Sequence, residues 1–212
     1  MKKNIVFITG NEGKRKEVEE ILGSKCTIVN IDLDVPEIQS TIVEEVTNGK
    51  IKSAYELLKE NFKEVIKKFA EKGVEIKNIK DVIVICEDTG LYINDMNNFP
   101  GALIKFYLGS LNVDGIVKMN GGSLAKAETV IGVIKYGKIM KAISGTRTGK
   151  IAKKIVSKDS FGWDPIFIPD ISKTKYSDYN GKTYAELKKL EIKNKISHRK
   201  RAFDKFKKII LK

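Results

Sequence analysis

Asn4-Ile5-Val6-Phe7-Ile8-Thr9-Gly10-Asn11-Glu12-Gly13-Lys14 decides the fold class. A short, unbroken apolar run of this kind reads as a strand covered on both faces, and Gly10-Asn11 ends it. Val18, Ile21 and Leu22 then recur at i, i+3 and i+4, one face of a helix, and Gly23 stops that helix. Thr27 to Leu33 reads as a second strand. Strand, helix, strand over thirty-odd residues points to an α/β fold.

Working outward, Pro36 marks a loop, Pro36-Glu37-Ile38-Gln39-Ser40. A long amphipathic helix is expected from Val43 to Asn61, and a Lys-rich helical stretch from there to Gly73. Asp81 to Cys86 is apolar enough for a central strand, running into a polar turn at Glu87-Asp88-Thr89-Gly90. Two short helical segments lead from the Asn97–Gly101 loop to Gly121-Gly122. Strand-like runs at Ala127–Ile134, Lys138–Ser144 and Arg147–Val156 have no helices between them, so antiparallel hairpins are expected. Phe161 to Pro169 reads as a loop. Ser197 suits the N-cap of a last helix whose apolar face is Ala202, Phe203, Phe206, Ile209 and Ile210.

Composition bounds the function. The 212 residues are 42% hydrophobic and 32% charged, which fits a packed chain rather than a disordered polycation. A chain of this length buries roughly 70% of its unfolded surface, so it needs no covalent staples. Cys26 and Cys86 both lie in apolar runs and suit a reducing compartment. No apolar run approaches the ~18–20 residues of a membrane span, and Thr9-Gly10-Asn11 cuts the first one too short for a secretory signal. A cytosolic protein is expected. The net charge is +13, and Lys188–Lys212 holds eleven Lys and Arg against Glu191 and Asp204. Such a terminus suits nucleic acid, an anionic small molecule, or a solvated helix face.

Four clusters carry potential chemistry. Thr9-Gly10-Asn11-Glu12-Gly13-Lys14 is a strand-to-helix turn that would offer backbone N–H groups and Lys14 to phosphate, although it is not a Walker A loop. Glu37 and Glu87-Asp88 are carboxylates of the kind that, with phosphate oxygens, hold Mg²⁺. Phe161-Gly162-Trp163-Asp164-Pro165 could offer a flat face to a base. Ser197-His198-Arg199 contains the only histidine. Taken singly, each also has an ordinary reading as turn, solvated acid, core aromatic or helix start.

Taken together and in order, these motifs resemble the inosine triphosphate pyrophosphatase family of non-standard purine nucleoside triphosphate hydrolases. The resemblance runs through Phe7-Ile8-Thr9-Gly10-Asn11 with Lys14 and Glu17, and Pro36-Glu37-Ile38-Gln39. It continues through Glu87-Asp88-Thr89-Gly90, Phe99-Pro100-Gly101 with Lys105, the Phe161–Phe167 loop and Ser197-His198-Arg199. It implies an elongated mixed β-sheet flanked by helices, two lobes around a central cleft, and a homodimer, with residues 1–212 as one domain. It also implies cleavage of ITP, dITP or XTP to the monophosphate and pyrophosphate. By the same resemblance Thr9, Gly10, Asn11, Lys14, Lys50 and Lys105 hold the phosphates, and Glu37 and Asp88 bind Mg²⁺. Asp88 serves as base toward water and Thr89 contacts the nucleotide. Phe161 stacks on the purine while Gly162, Trp163 and Asp164 shape its pocket. Lys193, His198 and Arg199 read the base, their donors suiting a 6-oxo group.

Three departures from the family pattern stand out. Residues 61–80 are longer than relatives carry and read as an exposed helical insertion. Leu103 and Phe106 stand where relatives often have Tyr and Trp, and Lys126 stands near a usual Arg. Two rival functions remain: a Maf-type nucleotide pyrophosphatase, against which the Phe-Gly-Trp-Asp and Ser-His-Arg motifs argue, and a nucleic-acid-binding module built on the basic terminal helix.

Overall fold

A computed structural model describes residues 2–156 and 162–211. The chain runs β1 (Lys3–Ile8), α1 (Glu12–Leu22), β2 (Cys26–Ile31), α2 (Val43–Glu60), α3 (Phe62–Ala70), β3 (Ile83–Ile93), β4 (Pro100–Gly101) and α4 (Ile104–Asn120). It continues through β5 (Leu124–Lys135), β6 (Lys138–Ile139), β7 (Ile143–Ile151), β8 (Phe167–Pro169), α5 (Tyr184–Lys189), α6 (Lys193–Ile196) and α7 (His198–Ile210). The sheet order is β2-β1-β3-β5-β7-β8, with β4 on β3 and β6 on β5. β2, β1 and β3 are parallel, and the rest is antiparallel. This is the mixed α/β sheet flanked by helices that the sequence implies.

Side chains alternate across the parallel strands and so divide the core. Ile5, Phe7, Ile83 and Ile85 pack under α1 and α7, whereas Val6, Ile8, Val84 and Cys86 pack under α2 and α3. A third cluster, Leu91, Ile93, Tyr107, Phe167, Tyr184 and Leu187 among it, joins the far half of β3 to α4, β8 and α5. The cleft is lined by Ile8, Leu33 and Val35 of the second cluster and by Ile104, Leu108 and Trp163 of the third. Two glycines let helices approach the sheet. A Cβ on Gly132 would fall 2.8 Å from Ile51 Cβ of α2, and one on Gly145 would fall 2.2 Å from the Ala202 backbone nitrogen of α7.

Several expectations are corrected. The expected turn Glu87-Asp88-Thr89-Gly90 is the middle of β3, because the ladder to β5 continues unbroken from Ile83↔Lys135 to Ile93↔Ala125. The polar residues stay in the strand because other elements satisfy them there, as described below. The runs at Lys138–Ser144 and Arg147–Val156 resolve into the two-residue β6 and a single β7, and the Phe161–Pro169 loop contains β8. The segment 61–80 is not an exposed appendage. Val65 and Phe69 are spaced i, i+4, wholly buried, and packed against β2 and α2 neighbours, while Lys68 Nζ donates to the Asn30 carbonyl at 2.7 Å. Ile209 faces outward rather than joining Ala202, Phe203, Phe206 and Ile210 in the core. The two helical segments before Gly121 are present as α4, which breaks at Asn112 (φ 55°, ψ 178°). No helix among the described residues is long and apolar enough to cross a membrane.

Candidate active site

β1 ends its pairing with β3 at Ile8↔Cys86, and β3 runs on past that point with β5 but no longer β1 beside it. The register therefore sets Glu87 and Asp88 beside the turn Thr9–Lys14. Asn11 caps α1 by accepting from the Lys14 N–H at 3.0 Å, and its own N–H donates to Thr9 Oγ1 at 3.1 Å. The Asp32 carboxylate packs close over Gly10, where a Cβ would lie 2.6 Å from it unless Asp32 moved. Lys14 Nζ donates to the Glu87 carbonyl at 3.3 Å and lies 3.7 Å from both Glu87 Oε1 and Asp88 Oδ1. The turn thus combines a helix N-terminus with a lysine, which favours bound phosphate.

The two adjacent acids differ because they point to opposite faces of β3. Glu87 turns toward α1 and α7 and has no exposed side-chain surface. Arg199 clasps it, Nε at 3.1 Å from both oxygens and Nη2 at 2.9 Å. Asp88 turns toward α2 and the cleft. Its carboxylate accepts the Thr89 N–H at 2.9 Å, and Lys14 stands beyond hydrogen-bond range. Burial, only partly offset by Lys14, raises its pKa above the ordinary 3.8. Across the cleft, Lys50 of α2 is paired with Glu37.

A buried chain of alternating charge runs from the phosphate end to the far lobe. Lys193 Nζ bonds Asp164 at 2.5 Å and Glu17 at 2.6 Å; Glu17 also pairs with Arg199, and Arg199 with Glu87. Burial would push Glu17 up, yet Arg199 and Lys193 overcome it and hold its pKa at about 2. The same burial keeps Asp164 above its usual value. This alters the expectation for Lys193 and Arg199. Both line the cleft, but Nζ of one and Nε, Nη1 and Nη2 of the other already donate to carboxylates. Thr89 is likewise engaged, with Thr129 Oγ1 and Arg199 Nη2 each at 3.3 Å.

His198 opens α7, behind the N-cap Ser197, whose hydroxyl accepts the Lys200 N–H. Its ring stacks between Trp163 (centroids 6.3 Å apart) and Tyr184 (5.6 Å). Burial, with Arg199 and Lys193 nearby, disfavours the charged ring and holds its pKa well below the usual imidazole range. Its Nε2 and the Trp163 indole N–H have no hydrogen-bond partner among the described residues.

The cleft has a volume of about 800 Å³. It brings together Thr9, Gly10, Asn11, Lys14, Glu37, Lys50, Asp88, Thr89, Lys105, Gly162, Trp163, Asp164, Lys193, His198 and Arg199. Phe161 lies outside the described residues. Phe106, the departure from the family's usual Trp, sits at the cleft wall and is exposed; Leu103 and Lys126 are not part of the lining. Sequence reasoning gave no role to Glu17 or Tyr184. Glu17 stands three residues after Lys14, on the same side of α1. Tyr184 follows the capping-box signal Thr183-x-x-Glu186, which the structure realises at the start of α5. Among the described residues no group of three or more His, Cys, Asp or Glu could cage a metal ion.

The family model described as "Ham1 family" matches residues 5–209. The chain is similar to the inosine triphosphate pyrophosphatase of Kluyveromyces lactis, 36% identical over 97% of this chain and 95% of that one. It is also similar to the dITP/XTP pyrophosphatase of Methanopyrus kandleri, 32% identical over 95% and 93%. Among solved structures, the Ham1 protein of Staphylococcus aureus superposes with a TM-score of 0.63 at 26% identity, covering 99% and 98% of the two chains.

Proposed function

The chain belongs to the Ham1 family, and from that membership and its cleft we infer a nucleoside triphosphate pyrophosphatase acting on non-standard purine nucleotides. It hydrolyses ITP, dITP and XTP to the monophosphate and pyrophosphate. The observation that carries this reading is the convergence of a phosphate-binding turn, an under-compensated carboxylate and a ring-lined recess in one cleft.

The triphosphate lies at the α1 N-terminus, with Lys14, Lys50 and Lys105 meeting its negative charge. Asp88 holds a water by its free oxygen lone pairs and takes its proton as the water oxygen bonds to the α-phosphorus. The bond from the α-phosphorus to the bridging oxygen breaks, and the lysines stabilise the departing pyrophosphate. Glu87, locked to Arg199, is not available for this work.

Magnesium fits the donor set. Glu37, whose present partner is Lys50, and Asp88 are hard oxygen donors on one cleft, and among the described residues Asp88 receives a single hydrogen bond, so its carboxylate has capacity to spare. Those two residues would hold the ion, with phosphate oxygens and water completing its shell. Bound there, it supplies charge neutralisation and a more acidic water. The same reading carries a homodimer as the working assembly and one domain per chain, which light scattering and limited proteolysis check.

Pyrophosphate release from ITP, dITP, XTP, GTP and ATP, with magnesium and with chelator, tests the function. Release from the first three, strongly reduced for ATP and abolished by chelator, is expected; equal release from ATP or none from ITP would refute it.

A further inference from the structure

Tyr184 lies at the first position of α5, wholly buried, packed on Phe167 with ring centroids 5.0 Å apart. Its Oη is 3.2 Å from His198 Nδ1 and, more weakly, 3.4 Å from the His198 backbone nitrogen. We infer that Tyr184 is a positioning residue that fixes the proton of His198 on Nε2, making that nitrogen a hydrogen-bond donor toward the purine. The inference rests on the cleft being a nucleotide site, as read above.

The backbone N–H of His198 can only donate, so the Tyr184 oxygen accepts from it. If Nδ1 is bare, the phenolic proton goes to Nδ1, and the only unmet group is the N–H at Nε2. If Nδ1 carries the proton, the phenol accepts twice. Its own proton then has no acceptor among the described residues, and Nε2 is a lone pair that is also unmet. The first arrangement leaves fewer buried polar groups unpaired. The doubly protonated ring is opposed by burial and by Arg199 and Lys193.

The unmet Nε2–H belongs to a ring that lines the cleft, next to the equally unpartnered Trp163 indole N–H, which can only donate. A purine with a 6-oxo group brings an acceptor to the His198 donor. Adenine brings an N–H instead, leaving donors facing donors. Lys193 and Arg199 direct most of their N–H groups to Glu17, Asp164, Glu87 and Thr89, and the imidazole beside them has its polarity set by Tyr184.

Because His198 is the only histidine, ¹⁵N-histidine labelling of the intact protein yields one pair of ring signals. The expected spectrum at neutral pH is a single neutral tautomer protonated at Nε2, whose Nε2 signal moves on adding inosine monophosphate but not adenosine monophosphate. Tyr184→Phe keeps the ring packing and should mix the tautomers. It should also raise KM for ITP about tenfold, the value of one hydrogen bond, with less effect on kcat. A wild-type ring protonated at Nδ1, or a variant with unchanged tautomer and KM, overturns the inference. Should Tyr184→Phe fail to fold, the wild-type spectrum and its response to the two monophosphates decide alone. An Nε2–H ring that depends on Tyr184 in a protein that cleaves no triphosphate would retain the positioning role and refute the functional reading instead.

Discussion

Glu87 and Asp88 are neighbours in sequence with opposite surroundings, because successive strand side chains face opposite ways. Glu87 balances a buried guanidinium. Glu87→Gln leaves Arg199 short of a counter-charge and should cost about 3–5 kcal/mol, read from urea unfolding. Asp88 is held in a site that disfavours its charge, so its pKa is raised in the folded state. The folded protein then binds the proton more tightly than the unfolded chain. That stabilisation is full below the ordinary value of 3.8 and is lost as pH rises through the raised value, leaving a standing cost at neutral pH. Asp88→Asn removes the cost and the base together. Its unfolding temperature at pH 7 in chelator should equal or exceed that of wild type, while turnover of ITP falls about 10²–10⁴-fold. A variant within threefold of wild-type turnover would remove Asp88 from the chemistry.

At the scale of elements, α7 matters most for the base end, because it carries His198 and Arg199. It can lie on β7 because Gly145 has no side chain: a Cβ there would sit 2.4 Å from the His198 carbonyl and closer still to the Ala202 nitrogen. Backbone cannot yield as a flexible side chain does. Gly145→Ala should therefore cost about 1–3 kcal/mol and raise KM for ITP by displacing the helix start; unfolding and steady-state kinetics measure both. α3 has the converse role. Phe69→Ala should cost about 3–5 kcal/mol by opening a cavity in the core under α2 and α3, with kcat for ITP little changed below the unfolding transition. The sequence disguised α3, since Val65 and Phe69 stand among lysines and glutamates and the composition is that of a solvated helix. It disguised β3 too. Glu87-Asp88-Thr89-Gly90 has the residues of a turn, but β5 pairs with it throughout and Arg199, 112 positions away, balances Glu87 there. Where the signal was local, at the β1–α1 switch, the Gly23 stop or the Ser197 cap, the reading and the structure agree.

Over the whole molecule, the excess positive charge has uses short of nucleic acid. Lys200 and Lys207 pair with Asp204, and Lys205 and Arg201 donate to the Ser144 and Thr146 carbonyls, tying α7 to β7. The residual field favours an anionic substrate. Every described residue to which the motifs assigned a phosphate, metal or base role lines that one cavity. Motif order could not show which of those residues are free to touch a ligand, since that depends on partners distant in sequence, such as Glu17, Glu87, Thr129 and Tyr184. In the proposed reaction this cleft delivers water to the α-phosphorus of a non-standard purine triphosphate. Hydrolysis of ITP in ¹⁸O-water, with both products weighed by mass spectrometry, tests it directly. The account predicts one ¹⁸O in inosine monophosphate and none in the pyrophosphate; label in the pyrophosphate, or release of orthophosphate as the first product, would contradict it.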